Sequence, residues 1–429
     1  MLEAAGAARM KQWRRRATTA FVLGVANGML WNFASAFVND STVLPTFVRE
    51  LGGGAVLVGL IPLVAVVCWN LPQLVAANML QAARRHMPMY RTSSLLRALA
   101  WPGAAIATLH WADQSRPLVL AAFFAMYALF MLSGGFGGMA FTSVVARTIP
   151  ATRLGLFFGL RQMGGGLLGV AAGVIVWRVL RDANESVGNY ATLFIWASGI
   201  FVAGWILFAL ISEPDPAPAR PREPMGRFFA QACALIKTDP DFRRLFVVRM
   251  LQSVALMGVP FYVVYCREVL RVPRQMVGVY LLAQMVGMIV SNLVWAPLSD
   301  RGGNRLVLRV LGADILLATA LAAVFSLIGR QGLGFGFPLV FFLLGTLSSG
   351  SVIGNTNYLL EMAPIVSTPL YVAAMNTFMA LGAASSLVAG KLIELIGFHF
   401  VFVAAAVLGA ASFAATARLR EPRDTLIST

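Results

Sequence analysis

Apolar runs of about 20 residues recur along the whole chain, each long enough to span a bilayer. Short polar segments rich in Arg separate them. Reading apolar windows gives twelve spans, at roughly 18–39, 55–78, 92–111, 117–140, 154–177, 190–211, 245–265, 276–297, 306–328, 334–358, 369–396 and 400–417. The runs lack strict two-residue alternation, so they predict helices, which satisfy their own backbone hydrogen bonds in lipid. Arg14, Arg15 and Arg16 precede the first run, and Ala34-Ser35-Ala36 has the form of a signal-peptidase site. The run is longer than a signal core, and removing it would leave an odd number of spans. It is expected to be a retained helix.

Composition agrees with the pattern. Of 429 residues, 59% are hydrophobic and 12% charged, about half the charge of a soluble domain. The net charge of +16 is spread over the segments between runs and does not form one patch, which argues against nucleic acid and for membrane topology. With both termini placed inside, the inner segments hold 22 Lys and Arg and the outer segments nine. That asymmetry predicts cytoplasmic termini. Cys68, Cys233 and Cys266 are odd in number and widely spaced, so neither a disulfide framework nor a zinc site is expected.

The longest polar segment, 212–244, opens with the Pro-rich EPDPAPARPREP. MGRFFAQACALIK follows, with the pattern of an amphipathic helix on the membrane surface. The segment divides the chain into an N-terminal half, 1–211, and a C-terminal half, 245–429. Weak internal similarity relates the halves. FTSVVARTIPATRLGLFFGLRQ (141–162) aligns with TNYLLEMAPIVSTPLYVAAMN (356–376) when Pro150 meets Pro364, and Val58-Gly59 matches Val277-Gly278. Repeats of this kind underlie many secondary transporters. Small residues four apart stand in three spans: Gly165, Gly169 and Gly173; Ala283, Gly287 and Ser291; Gly382, Ser386 and Gly390. That spacing lets helices approach closely in lipid.

Between spans eight and nine the chain reads LSDRGGNRLVLR (298–309), four charges and two glycines between apolar runs. Here Ala296 to Arg305 resembles the loop motif Gly-x-Leu-Ala-Asp-Arg-x-Gly-Arg-Arg/Lys of the major facilitator superfamily. Counterpart loop 82–91, AARRHMPMYR, keeps the positive charge and lacks the Asp and Gly. The resemblance implies an all-α integral membrane fold, with twelve transmembrane helices in two pseudo-symmetric six-helix bundles. It implies a secondary active transporter moving a small solute by alternating access as symport or antiport, not an enzyme, and acting as a monomer in the bilayer. It further implies a cytosolic gate in which Asp300 faces the start of span five, with Arg153 or Arg161 as its partner and Arg301, Gly303 and Arg305 shaping the loop. A membrane sensor or assembly partner that keeps the fold without transporting is the other reading.

Ionisable groups at membrane depth are costly and mark function. Asp40 ends span one in WNFASAFVNDSTVLP, and Asp314 stands within span nine; both are candidate proton carriers. Asp314 is too short to reach the interface and is expected to pair with an Arg or face a wet crevice. Arg97, Arg161 and Arg249 lie near span ends and have the length to snorkel. The resemblance puts the cavity between spans one, four, seven and ten. Those spans and their neighbours offer Asn27, Trp31, Asn32, Tyr127, Gln252, Tyr262, Asn355, Asn357 and Asn376. Amides and phenols in an apolar wall suit a neutral or amphiphilic solute, although a lone amide in a span often bonds a neighbouring helix instead. No nucleotide-binding loop, protease motif or metal cluster is present in the sequence, so no cofactor and no metal are expected. The membrane is expected to be a bacterial inner (plasma) membrane.

Overall fold

A computed structural model describes residues 2–182, 187–213, 225–364 and 368–421. These form fifteen α-helices joined by short turns: α1 Leu2–Phe37, α2 Val43–Glu50, α3 Ala55–Ala82, α4 Met87–Trp111, α5 Arg116–Thr148, α6 Leu154–Arg181, α7 Gly188–Ala209, α8 Met225–Thr238, α9 Pro240–Ala255, α10 Val259–Glu268, α11 Met276–Ile328, α12 Phe337–Met362, α13 Thr368–Ala383, α14 Ser385–Ile396 and α15 Phe398–Thr416. No strand occurs among the described residues. Eleven helical segments are long and apolar enough to cross a membrane. The twelfth is α4, whose 25 residues reach far enough but carry Arg91 and Arg97 within the run.

Three expected spans are broken helices. Span one is α1 plus α2, interrupted at 38–42. Asn39, Asp40, Ser41 and Thr42 favour local side-chain bonds over the helix ladder. Asn39 Oδ1 accepts from Ser41 N at 3.0 Å, Ser41 Oγ at 2.8 Å and Thr42 Oγ1 at 2.9 Å. Span seven is α9 plus α10, broken by the 3-10 turn Leu256–Gly258, and span eleven is α13 plus α14. The breaks in spans one and seven fall at matching places in the two halves.

The polar turn between spans eight and nine is shorter than its sequence promises. Helix α11 runs through it, and the single non-helical residue is Gly303, at φ 76° and ψ 161°. That left-handed angle needs glycine, and a Cβ there would press on the Glu421 carboxylate at 2.7 Å. The Pro-rich segment lies outside the described residues. The amphipathic stretch after it is α8, packed against α9 and α13.

The fold is two six-helix bundles related by a pseudo-two-fold. The main contact between the bundles runs through two crossings, α6 on the first half of α11 and α3 on α13–α14, with smaller contact of α10 on α2 and α3. Backbone approach at both demands glycine. A Cβ on Gly278 would meet Trp177 N at 2.4 Å and Gly173 O at 2.6 Å. A Cβ on Gly59 would meet Ser386 O at 2.2 Å, and one on Gly390 would meet Ala55 O at 2.5 Å. The repeated Val-Gly pairs of the sequence are therefore the same contact made twice.

Candidate functional site

The breaks in spans one and seven meet across a central cavity. One compartment, about 380 Å³, lies in the N-terminal half against Trp31, Trp69, Trp101, Tyr127 and Phe130. Its partner, about 310 Å³, lies between the halves against Ser41, Ser253, Gln284, Ser348, Ser351 and Ser385. Both volumes fall in the range of small-molecule pockets. Asp40 lines both compartments. Its side chain is open to the cavity, and no Lys or Arg pairs with it among the described residues. The broken turn beside it reaches the other half: Asn39 Nδ2 and Ser41 Oγ each donate to Gln284 Oε1 at 3.3 Å.

Call the end of the bundle that carries both chain termini the terminal end, and its opposite the far end. The far end is closed by ion pairs between the halves. Arg49 makes two parallel bonds to Glu268, Nε to Oε1 at 2.5 Å and Nη2 to Oε2 at 2.9 Å. Arg267 Nη2 and Arg274 Nε donate to Glu50 Oε1 at 2.9 and 3.1 Å. Arg49-Glu50 ends α2 and Arg267-Glu268 ends α10, so each half gives an Arg to the other half's Glu. This reciprocity is that of a two-fold interface. The paired side chains are 19–34% exposed, which keeps each bridge modest, on the order of 1 kcal/mol or less. Together they border a polar cavity of about 390 Å³ that Arg271 also lines.

At the terminal end the ion pairs among the described residues stay within each half. Arg147 pairs with Glu213 at 2.5 Å, and Glu213 also caps the start of α4, accepting from His86 N and Met87 N at 2.9 and 3.1 Å. In the other half Glu421 sits against Gly303, and Arg305 Nη2 donates to Ala417 O at 3.4 Å. Arg153 and Arg301 are exposed. The Asp300 side chain lies outside the described residues. Arg161 is committed to span one, bonding Gly24 O and Asn27 Oδ1, the latter at 3.2 Å.

Arg97 does not snorkel. It is 3% exposed, with its guanidinium 4.6 Å from the Trp31 ring centroid, 4.9 Å from Phe130, 5.1 Å from Trp205 and 5.7 Å from Trp69. Its Nε and Nη2 find no hydrogen-bond partner. Desolvating a cation costs several kcal/mol, and each ring returns about 0.5–2 kcal/mol, so the aromatic wall of the first compartment offsets a charge held behind it. Asp314 pairs with no Arg among the described residues and instead accepts from Thr346 Oγ1 of α12.

Of the cavity candidates, Trp31, Tyr127 and Asp40 line the first compartment. Others face neighbouring helices. Asn27 donates to Gly204 O at 2.9 Å, and Asn32 to Gln162 Oε1 at 3.0 Å. Tyr262 is fully buried against Phe337 and Phe402. Gln252 and Asn355 are buried, each with one orphaned polar atom, while Asn357 and Asn376 are half-buried. Sequence reasoning missed the serines of the second compartment and the Arg-Glu pairs of the far end. The pairs repeat 218 residues apart, a signal available to an internal alignment. Among the described residues no three His, Cys, Asp or Glu gather into a group able to hold a metal ion.

A family model described as Major Facilitator Superfamily matches residues 17–384 and 245–428. An uncharacterised protein of Mycobacterium tuberculosis is 22% identical over 349 residues, and one of Mycobacterium bovis matches to the same degree. Those matches take in 80% of this chain, which spans 66% of the length of these relatives. Among solved structures, a D-xylose-proton symporter superposes with a TM-score of 0.70 at 12% identity, covering 94% of this chain and 98% of that one. A nucleoside transporter superposes with 0.68 at 11% identity, covering 94% and 99%. The xylose transporter of E. coli in a partially occluded inward-open conformation gives 0.64 at 12% identity, covering 93% and 98%.

Proposed function

The chain belongs to the major facilitator superfamily, and from that premise we propose that it is a secondary transporter moving a small solute by alternating access, coupled to protons through Asp40. One observation carries the reading: a central cavity between two pseudo-symmetric halves, closed at the far end by reciprocal ion pairs that cross from half to half. Such pairs break without leaving a charge unsatisfied by water, because each is partly exposed. Rocking about the two glycine crossings then trades one opening for the other. The excess of Lys and Arg at the terminal end supports a cytoplasmic terminal end, so the closed far end faces outward. The membrane is proposed to be a bacterial inner membrane. The division at 212–244, the gate role of Asp300 and the monomeric state belong to the same proposal.

Asp40 suits proton coupling because it is a carboxylate without a cationic partner, in a cavity both halves share. A proton neutralises it without moving any other group. Asp314, tied to Thr346, is the second candidate. The test is solute flux into liposomes across a pH gradient. Asp40→Asn is expected to make flux independent of pH, and an unchanged pH dependence in this variant would remove Asp40 from coupling. Saturable solute binding with no flux in the parent protein would favour a sensor that kept the fold.

A further inference from the structure

Arg249 stands in α9, one turn from Ser253 toward the terminal end. Residues four apart share a helix face, and Ser253, Leu256, Met257 and Pro260 line the cavity. The other faces of α9 are spoken for. Phe246 meets Phe378 of α13, Met250 and Ser253 both pack beside Gly382, and Val248 and Gln252 are buried. Helical register therefore puts Arg249 on the side of α9 that carries Ser253, about 6 Å along the axis and one turn beyond the residues that line the cavity. It is half-buried. Among the described residues no hydrogen bond, ion pair or ring contact takes its guanidinium.

The surroundings fit an oxyanion. Ser348, Ser385 and Ser386 spend their hydroxyls on backbone carbonyls, whereas Ser253 and Ser351 line the cavity without a hydrogen-bond partner among the described residues. The far-end cavity has the same sign: Arg49, Arg267, Arg271 and Arg274 stand against Glu50 and Glu268. In the N-terminal half, Arg97 and Arg161 are enclosed and pair with no carboxylate among the described residues. Among the described residues that line the two compartments, Asp40 is the one carboxylate.

We propose that Arg249, with Ser253 and Ser351, binds the carboxylate of a small organic anion, and that this anion is the transported solute. The last step rests on the transporter reading above. A guanidinium takes a carboxylate through two parallel N–H bonds, and the two hydroxyls add donors to the same oxygens. The site also gives Asp40 a defined part. Ionised, Asp40 opposes an anion in the shared cavity; protonated, it does not. Proton and anion therefore favour each other's binding, and that coupling is reciprocal. The proposal replaces the neutral or amphiphilic solute expected from the amides with a charged one: Asn27 and Asn32 bond neighbouring helices, while Arg249 stands on the Ser253 side of α9.

The test needs no known substrate. In full-length protein with Cys68, Cys233 and Cys266 replaced by serine, Ser348→Cys reports on the cavity. Its reaction with a sulfonate-bearing methanethiosulfonate is compared with that of the trimethylammonium reagent, each normalised to a free thiol. The expected result is a roughly tenfold preference for the sulfonate, the lower end of electrostatic focusing in a cleft. Arg249→Gln should abolish it and Arg249→Lys should keep much of it. Equal rates, preference for the ammonium reagent, or a preference that survives Arg249→Gln would overturn the proposal. With Arg249 intact, benzoate should slow labelling and benzamide should not; equal protection by both would also overturn it. Labelling from each side of sealed vesicles reads the transporter question separately. An anion preference confined to one side would keep the site and remove transport.

Discussion

The two ends of the molecule are held together by different rules. At the far end, Arg49–Glu268, Arg267–Glu50 and Arg274–Glu50 cross between the halves. At the terminal end, the described pairs stay inside one half: Arg147 with Glu213, and Arg244 with Asp241. The inter-half hydrogen bonds seen among the described residues follow the same division. Asn39–Gln284, Val56–Glu394 and Ser386–Gly59 all lie from mid-membrane to the far end. Among the described residues, closure by ion pairs is thus an attribute of one end, while the pairs at the other brace each bundle internally. Under the proposed alternating access the two bundles move as rigid bodies, and the partly exposed ion pairs are the cheapest contacts to break.

The contrast can be broken most severely at the crossings. Gly59→Leu or Gly278→Leu puts a side chain where backbone atoms stand 2.2 to 2.4 Å from the Cβ position. Overpacking costs about 1–3 kcal/mol, enough for a roughly tenfold to hundredfold loss of the far-end-closed state. Cross-linking of cysteine pairs at the far end should fall by that factor, and flux with it. A smaller effect is expected at the ion pairs. Glu50→Gln with Glu268→Gln removes three partly exposed bridges worth about 0.2–1 kcal/mol each. The closed population should drop severalfold, with little change in melting temperature, because each bundle keeps its own braces. Salt is the mildest probe. Raising ionic strength from about 0.01 M to 1 M shortens the screening length from about 30 to 3 Å. It should open the far end less than the double variant does, and should add nothing in that variant.

Much of this fold was legible as hydrophobic pattern, because a bilayer forces each span to be long, apolar and helical. Span three is the instructive exception: Arg91 and Arg97 lower its hydropathy, yet α4 spans Met87–Trp111. Arg97 enters the interior because four rings surround it, a tertiary arrangement no window of residues displays. The break in span one was half visible, since Asn39 to Thr42 reads as a helix end. The chain then resumes as α2 and carries Arg49 and Glu50 to the far end. The break in span seven was invisible, because Leu256, Met257 and Gly258 continue the apolar run. The site was less legible than the fold. An amide in a span has two fates, and Asn27 and Asn32 took the interhelical one. The Val-Gly repeat was readable as similarity, but its meaning as a close crossing required the second half in place.

The central claim is that the two ends exchange closure. Pulsed dipolar spectroscopy tests it directly, with one spin-label pair at Gly52 and Arg330 on the far end and a second at Arg85 and Arg301 on the terminal end. In the parent protein the far-end distance should be short and the terminal-end distance long. In Glu50→Gln with Glu268→Gln, a population with a longer far-end distance should appear, together with a matching population of shorter terminal-end distance. Far-end lengthening with an unmoved terminal end, or no change at either, would contradict alternating closure.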